Sequence, residues 1–147
     1  GLACSADFRV CTPEARFAAN FSRLGFHQGF GLSVSLPAIV GQQKALELLY
    51  TGLRIKGEEA HAIGLADRLT DAGALREEAT ALAAEIAAAA PLAVRSIRQT
   101  MRGHLPEAMR DATRREDEEQ GRLRDTEDFA EGTRASGERR EPVFKGR

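Results

Sequence analysis

Between Arg16 and Gly41 the chain reads RFAANFSRLGFHQGFGLSVSLPAIVG, with glycines at 25, 29, 31 and 41, a histidine among them, and no acidic residue. Glycines at this density usually mark a loop that floors a pocket, because they let backbone N–H groups approach a ligand closely. Leu32 to Val40 reads as a short helix behind that loop, despite Pro37. The missing acids matter as much as the glycines. Any proton transfer beside this loop must use groups other than a carboxylate of the stretch itself.

The chain has 147 residues, enough for one domain or for part of a larger one. It is 42% hydrophobic but only 5% aromatic, without Trp, and rich in Ala and Leu, a balance that favours helices over sheets. A net charge of −1 argues against nucleic acid as the principal partner, since neutralising phosphates requires a basic excess. There is no run of 18 apolar residues and no signal-peptide pattern, so the expectation is a soluble cytoplasmic protein with no membrane partner. Cys4 and Cys11 match no metal or redox spacing and read as buried, reduced thiols. The opening, Gly1-Leu2-Ala3-Cys4-Ser5-Ala6, lacks Met and reads as mid-domain sequence.

Residues 1–6 are small and apolar, helix-compatible and apparently buried on all sides; Asp7 ends the run as a capping or strand-edge carboxylate. Phe8 to Thr12 alternates as a half-buried strand does, and Ala15 to Ala18 forms a second strand after a turn at Pro13. Neither strand has an evident partner, so the 147 residues alone are not expected to make a well-folded monomer. Phe21 to Leu24 reads as one helical turn stopped by Gly25. Gln43 to Tyr50 is a clearer helix, with Ala45, Leu46, Leu48 and Leu49 on its apolar face. Glu58 to Ile63 is a short helix, and Leu65 to Leu69 is extended.

Asp71 is placed to cap a helix striped by Leu75, Ala79, Leu82, Ile86 and Ala90, and Pro91 opens the next, whose apolar face is Val94, Ile97 and Met101. From Glu107 to Arg124 only Met109, Ala112 and Leu123 are expected to be buried. The charged run from Arg114 to Glu119 reads as a solvated face. Thr126 starts a final helix that turns Phe129 and Ala130 inward and is weakened at Gly132 to Gly137. Glu138 to Arg147 reads as a basic tail, and His61 and His104 as surface residues.

The segment order resembles the C-terminal half of the crotonase superfamily, the enoyl-CoA hydratase/isomerase family. The pieces that carry the resemblance are Ala3 to Asp7, Ala15-Arg16-Phe17, Gly25 to Gly31, Ile39-Val40-Gly41, Thr51-Gly52, Ala60 to Ala66, and Glu138 to Arg147. It implies an α/β fold: the C-terminal portion of the crotonase-like (ClpP/crotonase) spiral, helix-dominated with a few short strands. Residues 1–70 would be the C-terminal part of the core with the pocket loop. Residues 71–147 would be a helical region for oligomerisation and CoA-site completion, in a homotrimer or a dimer of trimers.

The family binds a CoA thioester as substrate, with no permanently bound cofactor and no metal, and stabilises its enolate with two backbone N–H donors. The resemblance places both donors before Gly1. The two glutamates of the hydratases would fall at Gly1 and Phe21, neither of which can move a proton. By the same alignment His27 and Gln28 are the candidate catalytic residues, with His27 as a general base. Gly29, Asn20, Phe21 and Phe30 are the candidate substrate contacts. Arg139 matches a basic position that reaches CoA phosphates in some members, with Lys145 as a possible helper, while the accompanying aromatic is replaced by Ser136. A non-catalytic acyl-CoA-binding or assembly subunit of the same fold is the alternative reading.

Overall fold

The computed structural model describes all residues from Gly1 to Arg147. The first half contains α1 (Leu2–Ser5), β1 (Val10–Cys11), β2 (Arg16–Ala18), a 3-10 turn (Ser22–Leu24), α2 (Leu32–Val40) and α3 (Gln42–Thr51). It continues through β3 (Arg54–Lys56), α4 (Gly57–Ala62) and β4 (Arg68–Leu69). A 3-10 turn at Ala72–Ala74 then leads into α5 (Leu75–Ala87), α6 (Pro91–Arg102), α7 (Leu105–Arg124) and α8 (Glu127–Glu138).

The early strands do have partners, contrary to the sequence expectation. β1 runs parallel to β4 with Val10 opposite Arg68, and β2 runs antiparallel to β3 with Phe17 opposite Ile55. The strand that sequence reading missed, β3, is a single apolar residue between two cations, too short for a period of two to register. Arg9 fastens the parallel pair: its Nε donates to the Leu65 carbonyl at 2.6 Å, and its guanidinium meets Asp67 at 3.1 Å.

The core lies between these strands and the pair α2–α3. Leu32 and Leu36 of α2 are each 3% exposed, and they meet Ala45, Leu48, Ile55 and the Cys4 thiol. Burying each leucine contributes about 2 kcal/mol. Both cysteines are free and buried, and burial raises the pKa of each thiol. Only 17 of the 147 residues are buried, so several apolar faces have nothing in this chain to cover them. Leu2 is 76% exposed, which corrects the expectation that residues 1–6 are enclosed; only Cys4 of α1 turns inward. α5 buries no residue fully, and on α6 Ile97 and Met101 remain exposed. α6 is instead tied down by charge, through Arg98 and Arg102 to Asp7, each at 3.0 Å.

Three local expectations change. Asp71 occupies the cap position, but its side chain accepts no capping hydrogen bond. Thr126 does cap α8, accepting from the Phe129 N–H at 3.1 Å. α8 runs unbroken through Gly132 and Gly137, because Gly132 is where the helix meets the 3-10 turn: a Cβ there would lie 2.4 Å from the Leu24 carbonyl carbon. The close packing that glycine permits offsets its poor helix propensity.

Candidate functional site

The loop from Gly25 to Gly31 is built as two ends and a suspended middle. At its start the Phe26 ring lies 4.9 Å from the Phe129 ring of α8, with the Arg124 guanidinium 6.0 Å above it. At its end Phe30 and Gly31 both take left-handed backbone, with φ of 65° and 68°. For a phenylalanine that conformation costs about 1–3 kcal/mol, and strain of this kind gathers at functional sites.

The strain is held by α7. Glu116 is 1% exposed, and its carboxylate accepts from the Gly31 N–H at 2.8 Å, the Ser33 N–H at 3.0 Å and the Ser33 hydroxyl at 2.7 Å. It thereby caps α2 from 85 residues away, in place of the side-chain cap that Gly31 cannot supply. One turn further along α7, Gln120 donates its amide to the His27 carbonyl at 3.0 Å. That amide stands 2.6 Å from where a Cβ on Gly29 would be, so a side chain there would have to displace the Gln120 amide. The N–H groups of His27, Gln28, Gly29 and Phe30 have no acceptor within the chain.

Sequence reading assigned Glu116 to a solvated face and did not consider Gln120. The signal was present. Met109, Ala112, Glu116 and Gln120 are spaced by three, four and four, so both polar residues fall in phase with the inward stripe of α7. The expected solvated face is real for Arg115, Glu118 and Arg122, while Glu119 is largely covered by Arg115 and Arg122, and the Arg122 hydrogen bond lowers the Glu119 pKa most.

An apolar pocket opens along the Leu32 and Leu36 face of α2, lined also by residues including Gly1, Cys4, Phe17, Leu53 and Ile55. The structure places the candidate residues around it unevenly. Phe30 is 57% exposed with its ring packed close against Gly1 on the pocket wall. Phe21 packs against the hydrophobic core. His27 Nδ1 lies 2.8 Å from the Gln28 carbonyl, and the Gln28 side chain donates to the Ser33 hydroxyl at 3.0 Å. Neither side chain lines the apolar pocket.

Asn20 lines a separate polar groove with Arg23, Arg54, Ser136, Arg140 and Glu141. Arg139 and Lys145 are kept apart. Arg139 caps the C-terminus of α8 with φ 57° and no acidic partner, whereas Lys145 lies 3.8 Å from Glu127, the first residue of that helix. A helix of this length separates its ends by roughly 18 Å. No three His, Cys, Asp or Glu side chains gather into a metal-binding group.

The basic tail is docked and not simply solvated. Arg140 pairs with Glu131 and Glu138, while Asp128 accepts from the Lys145 and Gly146 N–H groups at 2.7 and 2.8 Å. The Arg140 and Arg134 guanidiniums, with the Val143 N–H, hold Glu131 far below the ordinary carboxylate range.

The sequence profile of the enoyl-CoA hydratase/isomerase family matches residues 1–147. The chain belongs to this family. It is 36% identical to an enoyl-CoA isomerase/hydratase of Zymoseptoria tritici, over 99% of this chain and 50% of that protein. It is 33% identical to an (E)-benzylidenesuccinyl-CoA hydratase of Thauera aromatica, over 99% of this chain and 57% of that protein. The crystal structure of an enoyl-CoA hydratase/isomerase from Pseudoalteromonas atlantica superposes with a TM-score of 0.85 at 28% identity, covering 98% of this chain and 58% of the other. The crotonase-like, helix-dominated fold expected from the sequence is therefore present, and the chain spans about half the length of the relatives it matches. No single helix is long and apolar enough to cross a membrane.

Proposed function

We propose that this chain supplies the C-terminal half of an acyl-CoA site in an enoyl-CoA hydratase/isomerase-family enzyme. The reaction would pass through a thioester enolate stabilised by N–H donors outside these residues, and it would proceed without the two hydratase glutamates, which fall at Gly1 and Phe21. The observation that carries this reading is the apolar pocket beside a strained glycine loop in a chain whose whole length matches the family. The pocket wall suits an acyl group, and the unpartnered N–H groups from His27 to Phe30 suit a thioester or a water.

In this reading His27 is the base. With its Nδ1 proton donated to the Gln28 carbonyl, the ring keeps Nε2 free to accept a proton. Gln28 orients the loop through Ser33, and Phe30 and Gly29 border the acyl group. Arg139, which has no acidic partner, is assigned to the CoA phosphates without Lys145, which Glu127 holds at the other end of α8, and the exposed faces of α5 and α6 are assigned to a trimer or dimer of trimers. The two reduced thiols suit a cytoplasmic setting.

Calorimetric titration of the full-length protein with crotonyl-CoA, a 3-oxoacyl-CoA and an aryl-CoA tests the reading. Binding of at least one thioester, weakened by Leu53→Glu at the half-exposed pocket wall, is expected. No heat from any of the three would overturn it.

A further inference from the structure

α7 reaches the pocket loop at two points four residues apart, and both contacts are to loop backbone. Glu116 takes the Gly31 and Ser33 N–H groups, and Gln120 holds the His27 carbonyl. Between them lie the residues whose N–H groups have no partner in the chain, and Phe30, whose backbone is strained. Gln28 joins the same network from inside the loop, since its side chain donates to the Ser33 hydroxyl that in turn donates to Glu116. Buried and bonded only to uncharged donors, Glu116 also closes the N-terminus of α2, which would otherwise offer its own N–H groups to a bound anion.

We propose that Glu116 and Gln120 are positioning residues: a two-point clamp from α7 that fixes the loop so that His27 Nε2 and the free N–H groups of residues 27–30 stay in place for a thioester ligand. The clamp accounts for three otherwise separate features. The Gln120 amide occupies the space beside Gly29 that a side chain would enter, Phe30 tolerates left-handed backbone because its successor is bonded, and α2 begins without a local cap. Neither clamp residue reaches the apolar pocket, so both act on chemistry only through the loop. The catalytic consequence rests on the acyl-CoA reading; the mechanical one does not.

The experiment combines amide hydrogen exchange with turnover of crotonyl-CoA in the full-length protein. In Glu116→Gln the new amide cannot accept both backbone donors, and exchange of the Gly31 to Val34 amides is expected to rise about tenfold while α3 and β2 keep their wild-type protection. Gln120→Ala, a milder variant that keeps the protein folded if the first does not, should speed exchange at Leu32, whose N–H donates to the Gly29 carbonyl, and leave Gly31 and Ser33 protected. Both variants should lower kcat by about a hundredfold, with KM within a few-fold of wild type, because a misplaced loop costs the transition state more than the ground state. Glu118→Gln, an exposed neighbour on the same helix, should change neither. Wild-type loop exchange in both variants would overturn the clamp, as would a uniform rise throughout the chain. Loosened loops with unchanged kcat would overturn the positioning role. A wild-type protein inert towards crotonyl-CoA but with a variant-sensitive loop would support the clamp and count against the acyl-CoA reading.

Discussion

Two carboxylates on adjacent helices each hold a distant segment, and they do so by opposite means. Glu116 of α7 is enclosed and bonded to uncharged backbone and hydroxyl donors of the pocket loop. Glu131 of α8 holds the C-terminal tail chiefly through the charge of Arg140, with the Val143 N–H beside it and Arg134 of its own helix adding a second cation. The first arrangement depends on geometry and burial. The second depends on Coulomb attraction near solvent, which salt screens and acid removes. The contrast separates a part of the molecule built to stay fixed from a part that conditions can release.

The largest effect is expected at Glu116. Glu116→Ala leaves the Gly31 and Ser33 N–H groups without an acceptor, and the unfolding free energy should fall by about 3 kcal/mol in a denaturant titration. A loss within the noise of a surface substitution would erase the distinction between the two carboxylates. At Glu131 the expected outcome is local: Glu131→Gln should expose the tail after Arg139 to protease while the midpoint of the main unfolding transition changes little.

The pH dependence sharpens the same difference. The pKa of Glu131 is depressed in the folded state, first by its hydrogen bond from Arg140, so its contribution is fully present above the ordinary carboxylate range. It should fade as pH drops from that range towards the depressed value. Tail amides should therefore lose protection, measured against the intrinsic exchange rate at each pH, before those of β2 and β3 do; simultaneous loosening would contradict this. Raised salt should act in the same direction on the tail and leave the Gly31 and Ser33 amides protected. The smallest effect is expected on α6, where Ile97→Glu at a site 62% exposed should alter the stability of the 147-residue chain by no more than about 0.5 kcal/mol.

The sequence made the helices of the core easy to read, because glycines and Pro91 punctuate them: Leu32 to Val40 forms with the bounds expected, and Pro91 starts α6. The order of short motifs was enough for the fold. Local pattern failed where a contact spans the chain. β3 pairs with β2 across more than thirty residues, and Glu116 reaches α2 across 85. A carboxylate inside a run of charges looks solvated until the phase of the helix is followed, and the stripe through Met109 and Ala112 would have shown it. The docking of the tail was hidden for a related reason: its acidic partners, Asp128 and Glu131, precede it on α8, and no local pattern joins them to Arg140, Lys145 and Gly146. The loop residues His27 and Gln28 were singled out through the family resemblance of the glycine loop, but their hydrogen bonds to their own loop could come only from the three-dimensional arrangement.

The most direct test is turnover of enoyl-, 3-oxoacyl- and aryl-CoA thioesters by the full-length protein beside its His27→Ala variant. A thioester is expected to be consumed by the wild type and lost by orders of magnitude in the variant, with binding retained. Turnover that survives His27→Ala undiminished would remove His27 as the base, and a wild type inert towards every thioester would contradict the enzyme reading itself.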